Sequence, residues 1–153
     1  VAWLGDSRAL VATVTDEHHK VDMLTPGHTT DSPGELQRVK ARGANLRAVP
    51  AGKGQTRIFA PGKRLPGLVV TRALGDTAAV PLGVARQPDI RKMNFAKTPG
   101  LVLLGSGGLW DALDDGGGDA ALGALVGRCE LRRRGAREAA PRLCREAQDQ
   151  WCK

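Results

Sequence analysis

The stretch that most constrains the fold is "LVLLGSGGLWDAL", residues 101–113, in which four apolar residues run into Ser106-Gly107-Gly108. A short apolar run that ends at glycines is typical of a buried strand followed by a sharp turn. Such turns often hold ligands, because backbone N–H groups at the start of a helix bind anions. The chain is therefore expected to contain a sheet in which one buried strand leads into a functional turn.

The spacing of this turn disfavours a nucleotide site. "GSGGLW" lacks the Lys-Ser/Thr pair of a phosphate-binding loop and the three-glycine spacing of a dinucleotide fold. What the turn binds must therefore be inferred from the surrounding motifs.

The length and charge of the chain limit its number of domains and its kinds of partner. The 153 residues suit one domain, and the first residue, Val1, is not Met, which favours a fragment. The net charge of +7 would attract phosphate-bearing partners. There is no Tyr and there are only two Phe and three Trp, so the aromatic residues of a nucleic-acid-reading surface are lacking. We expect no nucleic-acid partner, and a small basic nucleic-acid-binding protein is the least favoured of the candidate functions.

The cysteines and the hydropathy of the chain indicate the cellular compartment in which the protein is expected. Cys129, Cys144 and Cys152 form no CxxC pair, and their odd number gives no disulfide framework, which indicates reduced thiols inside a cell. No apolar stretch reaches the roughly 18 to 20 residues that a membrane span needs. We expect a soluble intracellular protein of the cytoplasm or nucleus without a membrane partner; any N-terminal targeting segment and the oligomeric state stay open.

The first half of the chain contains one clear helix. Residues 1–14 predict two strands around the turn Gly5-Asp6-Ser7-Arg8, and residues 21–24 predict a short strand. Ser32-Pro33 is a typical helix start and Gly43 a typical end. Residues 45–67 are rich in Gly, Pro and basic residues, which predicts an irregular surface excursion outside the core.

The second half alternates strands and helices. Residues 68–71 and the segment after 87–90 predict strands, and residues 120–126 and 136–151 predict helices separated by a basic loop at 132–135. Apolar residues recur every four positions in the last helix, at Ala139, Leu143, Ala147 and Trp151. Cys144 and Cys152 share one face there, which favours core packing over metal binding.

Carboxylates at the ends of apolar runs are the candidate metal ligands. Four of them stand at such breaks and could converge on a hard cation: Asp6, Asp76, Asp89 and Asp111. The alternative is that each is an ordinary turn residue bonded to its own backbone. A histidine cluster is disfavoured, because His18 and His19 are adjacent and would point to opposite faces of a strand.

Read in order, the flanking motifs resemble one family. They are "GDSRALV" (5–11), "LTPGH" (24–28), "ELQRVKARGA" (35–44), "RLPGLVVTRALGD" (64–76), "QPDI" (87–90) and "LVLLGSGGLWDAL" (101–113). Each is weak alone, but together they resemble the metal-dependent Ser/Thr protein phosphatases of type 2C, the PPM family. The C-terminal helices, 120–151, fit the pattern only loosely.

The resemblance implies an α+β fold, an α-β-β-α sandwich of two antiparallel sheets flanked by helices and truncated at both ends, with 1–153 as a partial domain. It implies a binuclear Mg²⁺ or Mn²⁺ site, whose bridging water attacks phosphoserine or phosphothreonine in substrate proteins.

The resemblance also assigns roles to individual residues. Asp6 matches a ligand of an accessory metal, Trp110 is expected to pack under the metal-site turn, and 71–76 is expected to be structural. Residues 45–67 match the flap beside the active site, whose basic residues would steer phosphopeptides: Lys53, Arg57, Lys63 and Arg64.

Departures from the family pattern bear on activity. Gly107 stands where the family has a metal-binding Asp, and Gly27 replaces an acidic residue before His28. The early Asp-Gly-His-Gly-Gly motif and the late Asp-Asn or Asp-Asp ligand are not in these residues. The resemblance thus implies no catalytic residue here and a phosphatase fragment that is inactive as given. The alternative is a pseudophosphatase that serves as a binding or regulatory module.

Overall fold

The computed structural model describes residues 1–14, 19–50, 55–94, 100–114 and 131–152. It is a mixed α+β structure with antiparallel sheets, which confirms the predicted fold class. The strands in chain order are β1 (Ala2–Trp3), β2 (Arg8–Val14), β3 (His19–Met23), β4 (Asn45–Ala48), β5 (Thr56–Phe59), β6 (Pro66–Leu68), β7 (Asp89–Ile90) and β8 (Gly100–Gly105). The α-helices are α1 (Pro33–Ala41), α2 (Gly107–Asp114) and α3 (Leu131–Trp151), and a 3₁₀ helix spans Thr77–Leu82.

Two compact units make up the chain. The first unit contains Val1, Ser7–Thr25 and Arg91–Lys153, and the second contains Ala2–Asp6 and Pro26–Ile90. Each unit has its own sheet and core. The face-to-face packing of two sheets, which the resemblance implies, stays a prediction.

The first unit is built on the sheet β3-β2-β8, in which β2 pairs antiparallel with both neighbours. Leu10 and Ala12 of β2 are fully buried and pack with Trp110 of α2 and Leu143 of α3. The predicted apolar period of the last helix is confirmed at Ala139, Leu143 and Ala147, which are all buried. It is wrong at Trp151, which is 65% exposed because it lies at the end of α3.

The strand β8 is confirmed, but its burial is one-sided. Leu101 and Leu103 pack against the core of the first unit. Val102 and Leu104 point to the other face of the sheet and are 43% and 68% exposed. Since side chains alternate along a strand, α2 and α3 cover only one of its faces. The apolar run therefore predicted the strand correctly and its full burial wrongly.

The second unit contains α1, the 3₁₀ helix and the sheet β4-β5-β6. Its core combines side chains from all three with one that follows the 3₁₀ helix: Val39, Ile58, Ala79, Leu82 and Val84. The predicted irregular excursion at 45–67 is therefore wrong. It contains β4, β5 and most of β6, and Ile58 and Phe59 at the end of β5 are buried.

The helix α1 follows its sequence signals. Ser32 precedes it in an extended conformation, Pro33 occupies its first turn and Gly43 follows it with a positive φ of 73°. After the 3₁₀ helix, Gly83 has a φ of 89°, and a Cβ there would lie 3.1 Å from the Arg38 carbonyl oxygen and from the Val39 Cα. Glycine is thus what allows this turn to pack directly on the backbone of α1.

Several local predictions are corrected by the strand pairing. The strands on either side of the Gly-Asp-Ser-Arg turn do not pair with each other, because β1 pairs with β7. Residues 68–71 form the end of β6 and an isolated bridge from Val70 to Thr29 instead of one strand. The strand predicted after 87–90 is misplaced, because β7 is Asp89–Ile90 itself and the described residues 91–94 form no strand.

The C-terminal region also differs from its prediction. Helix α3 already begins at Leu131, so residues 132–134 are helical, and the break falls at Gly135, whose φ is 71°. Cys144 and Cys152 are exposed free thiols at a groove between α2 and α3, which makes their predicted core packing wrong. The helix predicted at 120–126 lies outside the described residues. Among the described helices, none is long and apolar enough to cross a membrane.

Candidate functional site

Two turns of the second unit come together around Asp6. The His28 N–H donates to the carbonyl oxygen of Gly5 at 2.8 Å. A Cβ built at Gly27 would lie 3.9 Å from the Cα of Asp6. The two motifs that lie far apart in sequence are thus adjacent in space. Glycine at position 27 leaves Asp6, which is half-buried, without the second carboxylate that an acidic residue there would provide.

The most extensive polar cluster of the second unit is centred on Glu35. Glu35 lies on the first turn of α1 and is 6% exposed as a whole residue. Arg38 donates to both of its oxygens, at 2.8 and 2.5 Å, and Arg72 donates to it from its Nη2 at 2.8 Å. The hydroxyl of Thr71 donates to Oε2 at 2.6 Å. The cluster joins α1 to the segment after β6, and Arg38 extends it to the carbonyl oxygen of Gly83 at 2.9 Å.

The pKa of Glu35 reflects this cluster. Burial alone would raise its pKa, but the hydrogen bonds from Arg38, Arg72 and Thr71 outweigh burial and hold the pKa far below its ordinary range. The carboxylate is therefore ionised throughout the physiological range. It acts as a fixed negative charge that orients two guanidinium groups.

Arg72 connects Glu35 to a second carboxylate. Its Nη1 donates to Oδ1 of Asp89 at 2.7 Å, and the Oδ2 of Asp89 lies 3.1 Å from His28 Nε2. The hydrogen bonds from His28 and Arg72 lower the pKa of Asp89. The His28 ring is stacked on Trp3, with ring centres 5.7 Å apart, and its buried Nδ1 has no hydrogen-bond partner. Asp89 thus anchors His28 instead of serving as an open metal ligand.

The turn after β8 belongs to the first unit. Gly107 begins α2, and the Leu109 N–H donates to the Ser106 carbonyl oxygen at 3.0 Å. Trp110 is fully buried and donates from Nε1 to the carbonyl oxygen of Gly105 at 2.8 Å, which confirms its predicted packing under the turn. A Cβ at Gly105 would lie 2.5 Å from Cδ2 of Leu109 and 3.0 Å from the ring of the buried Trp110, so a larger residue at the strand end would have to displace that ring. Gly107 itself offers only backbone groups to a cation.

The predicted flap residues occupy different environments. Lys63 and Arg64 are exposed in the connection between β5 and β6. Arg57 is half-buried on β5 and donates to the Gly67 carbonyl oxygen at 3.0 Å. Lys53 lies outside the described residues. A further arginine, Arg47 of β4, lies directly opposite Arg57.

Comparison with known proteins decides the family. The family model described as "Protein phosphatase 2C" matches residues 1–153. The chain belongs to the protein phosphatase 2C family.

Relatives in this family are longer than the chain. A probable protein phosphatase 2C of Oryza sativa subsp. japonica is 32% identical over 116 residues, which are 75% of this chain and 30% of that protein. One from Arabidopsis thaliana is 27% identical over 152 residues, covering 99% of this chain and 40% of its own length. The chain therefore spans less than half the length of these two curated relatives.

A solved structure agrees with the fold. The crystal structure of serine-threonine phosphatase 2C from Toxoplasma gondii superposes with a TM-score of 0.73 at 22% identity. The superposition covers 96% of this chain and 48% of that one. The shared fold thus extends over nearly all of this chain, as a partial protein phosphatase 2C domain.

Metal dependence, as in the protein phosphatase 2C family, requires side chains that can bind cations. Within the described residues, no group of three or more His, Cys, Asp or Glu side chains could hold a metal ion. Asp89 is paired with Arg72 and His28, and position 107 lacks a carboxylate. The predicted convergence of the strand-end carboxylates is therefore not seen in this part of the chain. These residues do not fit a binuclear centre.

Sequence reasoning missed the Glu35 cluster. It included Glu35 in the motif at 35–44 and Arg72 in the segment 71–76 that was expected to be structural, but it did not connect them. The signal that could have revealed the cluster is the distribution of charge. Glu35 stands near the start of a helix, and the following 40 residues, 36–75, contain several arginines but no Asp or Glu that could pair with them.

Proposed function

We propose that this chain is part of a protein phosphatase that hydrolyses phosphoserine and phosphothreonine in proteins, and that by itself it does not catalyse the reaction. The observation that carries the proposal is the family match across residues 1–153. The ordered motifs from Gly5 to Leu113 agree with this match. The second part rests on Gly107, which cannot provide the carboxylate that the family motif has at this position.

In the family, Mg²⁺ or Mn²⁺ supplies an activated water and neutralises charge on the phosphoryl group. The described residues of this chain do not fit that pair of ions, so their contribution is to the framework. Glu35 and Arg72 fix the segment that leads to Asp89, and the Gly5–His28 contact fixes the turn that carries Asp6. We assign Asp6 as the candidate ligand of an accessory metal in a longer protein.

The basic residues of the flap-like segment 45–67 are proposed to attract phosphopeptides. Lys63 and Arg64 suit this role because both are exposed, and Lys53 belongs to the same proposal on sequence grounds. Arg57 is held within the sheet, so its contribution would be to a fixed surface instead of a mobile loop.

The proposed substrates are phosphoproteins of an intracellular compartment. Two free cysteines, Cys144 and Cys152, fit a reducing environment, and the family's substrates are proteins. The small number of aromatic residues supports the expectation that nucleic acid is not a partner.

The test uses a full-length protein that contains this segment, assayed with Mn²⁺ and a phosphoserine peptide, beside its Gly107→Asp variant. We expect the variant to bind Mn²⁺ more tightly and to turn over faster, because a carboxylate adds a hard ligand. An equal rate and affinity in the two proteins would contradict the role given to position 107.

The same assay separates the pseudophosphatase alternative, which the glycine at position 107 favours. A full-length protein that turns over only as Gly107→Asp would support a binding module with a lost ligand. Turnover by the unmodified full-length protein at an ordinary enzymatic rate, above about 1 s⁻¹, would exclude that alternative.

A further inference from the structure

Two arginines face each other on the outer side of the sheet β4-β5-β6. Arg47 of β4 and Arg57 of β5 are register partners in the antiparallel pair. Ile58, the next residue along β5, points to the other side, where it is fully buried in the core of the second unit. Arg47 lies over the ring of Phe59, 3.9 Å from its centre, so Phe59 shares the arginine side. One face of the sheet is therefore apolar and the other is cationic.

Neutral groups hold both guanidinium ions in place. Nη2 of Arg47 donates to the carbonyl oxygen of Lys63 at 2.9 Å, and Nη1 of Arg57 donates to that of Gly67 at 3.0 Å. The buried Nε of Arg57 has no hydrogen-bond partner. Carbonyl oxygens fix the direction of a guanidinium ion but leave its charge in place. The pair is thus preorganised and still fully cationic.

The surrounding sequence supplies no counter-ion. Residues 36–75 contain no Asp or Glu. Within the described part of this stretch, Arg38 and Arg72 are paired with Glu35, whereas no carboxylate partner is found for Arg47 or Arg57. Like charges directly opposite each other destabilise a strand pair. A strand pair that keeps two like charges opposite each other without compensation is typical of a functional surface.

We propose that this arginine face, formed by Arg47, Arg57 and the adjacent Lys63, is a docking surface for an acidic segment of a partner protein. Carboxylates match guanidinium ions because both are planar and form paired hydrogen bonds. Side chains on one side of an extended peptide recur about every 7 Å, so two acidic residues at alternate positions can reach both arginines. Phe59 lies beneath Arg47, which leaves the face without the open aromatic platform that single-stranded nucleic acids use.

This inference deepens the proposed function and, as a statement about substrates, rests on it. In a phosphatase, the surface would favour phosphoproteins with acidic residues near the phosphorylated one. Binding to the surface needs no catalysis, so it is measured on the 153-residue chain alone. A failure of docking would leave the phosphatase proposal intact, and a failure of catalysis would leave docking intact.

The experiment measures fluorescence anisotropy of a labelled decapeptide of alternating Glu and Ser at about 50 mM salt, where screening is weak. The variant Arg47→Gln/Arg57→Gln is compared with Arg42→Gln/Arg86→Gln, which removes the same charge from exposed positions of the same unit. We expect at least about tenfold weaker binding for the first and less than about twofold for the second, since paired guanidinium–carboxylate bonds are strong and local. Equal losses in the two variants, or none in either, would overturn the proposal.

Two further measurements are needed. One tests whether a loss of binding comes from misfolding, and the other tests whether the surface binds a different class of partner. Lys63→Gln alters an exposed side chain, so it is expected to keep the circular dichroism spectrum and to weaken binding by about threefold. Unchanged affinity in this variant would count against the arginine face. An RNA decamer or anionic phospholipid vesicles that compete as well as the unlabelled peptide would also overturn the assignment to an acidic protein segment.

Discussion

At the level of single residues, Glu35 shows how a buried charge can order a segment of the chain. Its carboxylate accepts hydrogen bonds from Arg38, Arg72 and Thr71 while its side chain is only 7% exposed. Removing one partner of a buried ion pair is costly, because the remaining charges stay buried and uncompensated. The cluster therefore makes α1 and the Arg72 segment depend on each other.

We expect Glu35→Gln to lower the free energy of unfolding by about 3 kcal/mol, because two arginines lose their counter-ion. Urea denaturation followed by circular dichroism measures the loss. The matched control is Asp22→Asn, which removes the acidic partner of Lys20 in a pair whose side chains are 43% and 73% exposed. That control is expected to change stability by less than about 0.5 kcal/mol. Similar small losses in both variants would contradict the importance of the cluster.

The pH dependence of stability follows from the lowered pKa of Glu35. A carboxylate whose pKa is lower in the folded state stabilises the fold above its unfolded pKa, about 4.3, and loses that contribution as the pH falls toward its folded pKa. We expect the melting temperature of the wild type to fall more steeply between about pH 5 and pH 3 than that of Glu35→Gln. Asp89 acts in the same direction, but it is 46% exposed and contributes less. Parallel curves for the two proteins would show that Glu35 is not responsible.

At the level of elements, the turn after the 3₁₀ helix depends on the shape of glycine. Gly83 has a positive φ and lies against the backbone of α1. Gly83→Ala would meet both backbone strain and a contact that no side-chain rotation relieves. We expect a loss of about 2 kcal/mol in stability. Gly43→Ala, which also has a positive φ but has open space around its Cβ position, is expected to lose less, about 1 kcal/mol, and the same urea titration compares the two. Equal losses would mean that the contact with α1 is unimportant.

Sequence patterns predicted the elements that carry their own signals. Helix α1 has Pro33 at its start and Gly43 after its end, and β8 is an uninterrupted apolar run. Strand partners were harder, since β1 pairs with β7, whose residues lie more than 80 positions away. The strands at 45–67 were missed because their short apolar alternation is diluted by glycine, proline and arginine. Burial on one side of β8 could not be read from a run that is apolar on both sides.

The candidate site was predictable only in part, and for a physical reason. Motif matching could single out Asp6 and Gly107, because each departs from or matches the family pattern at a single position, and the roles given to both stay predictions. The Asp89–His28 and Glu35–Arg72 pairs join residues 61 and 37 positions apart, and such distant pairs leave no local pattern. The convergence of carboxylates on a metal was inferred from position alone for Asp6, Asp76, Asp89 and Asp111. Among the described residues, no group of three or more His, Cys, Asp or Glu side chains could hold a metal ion.

At the level of the whole molecule, the chain is a partial domain with apolar side chains on its surface. Leu65 and Leu74 are each 73% exposed, Ile90 is 70% exposed and Leu104 is 68% exposed. Exposed apolar residues favour self-association. Aggregation-prone behaviour of the isolated chain remains a prediction, and a sharp, cooperative thermal transition of a monomer would contradict it.

The central claim is that this protein phosphatase 2C domain is partial and cannot complete the metal centre by itself. The most direct test is the release of phosphate from a phosphoserine peptide by the purified 153-residue chain, with Mn²⁺ or Mg²⁺ and with chelator. The predicted result is a rate that equals the protein-free background under all three conditions. Turnover that requires the metal, is proportional to protein concentration and disappears with chelator would contradict the claim.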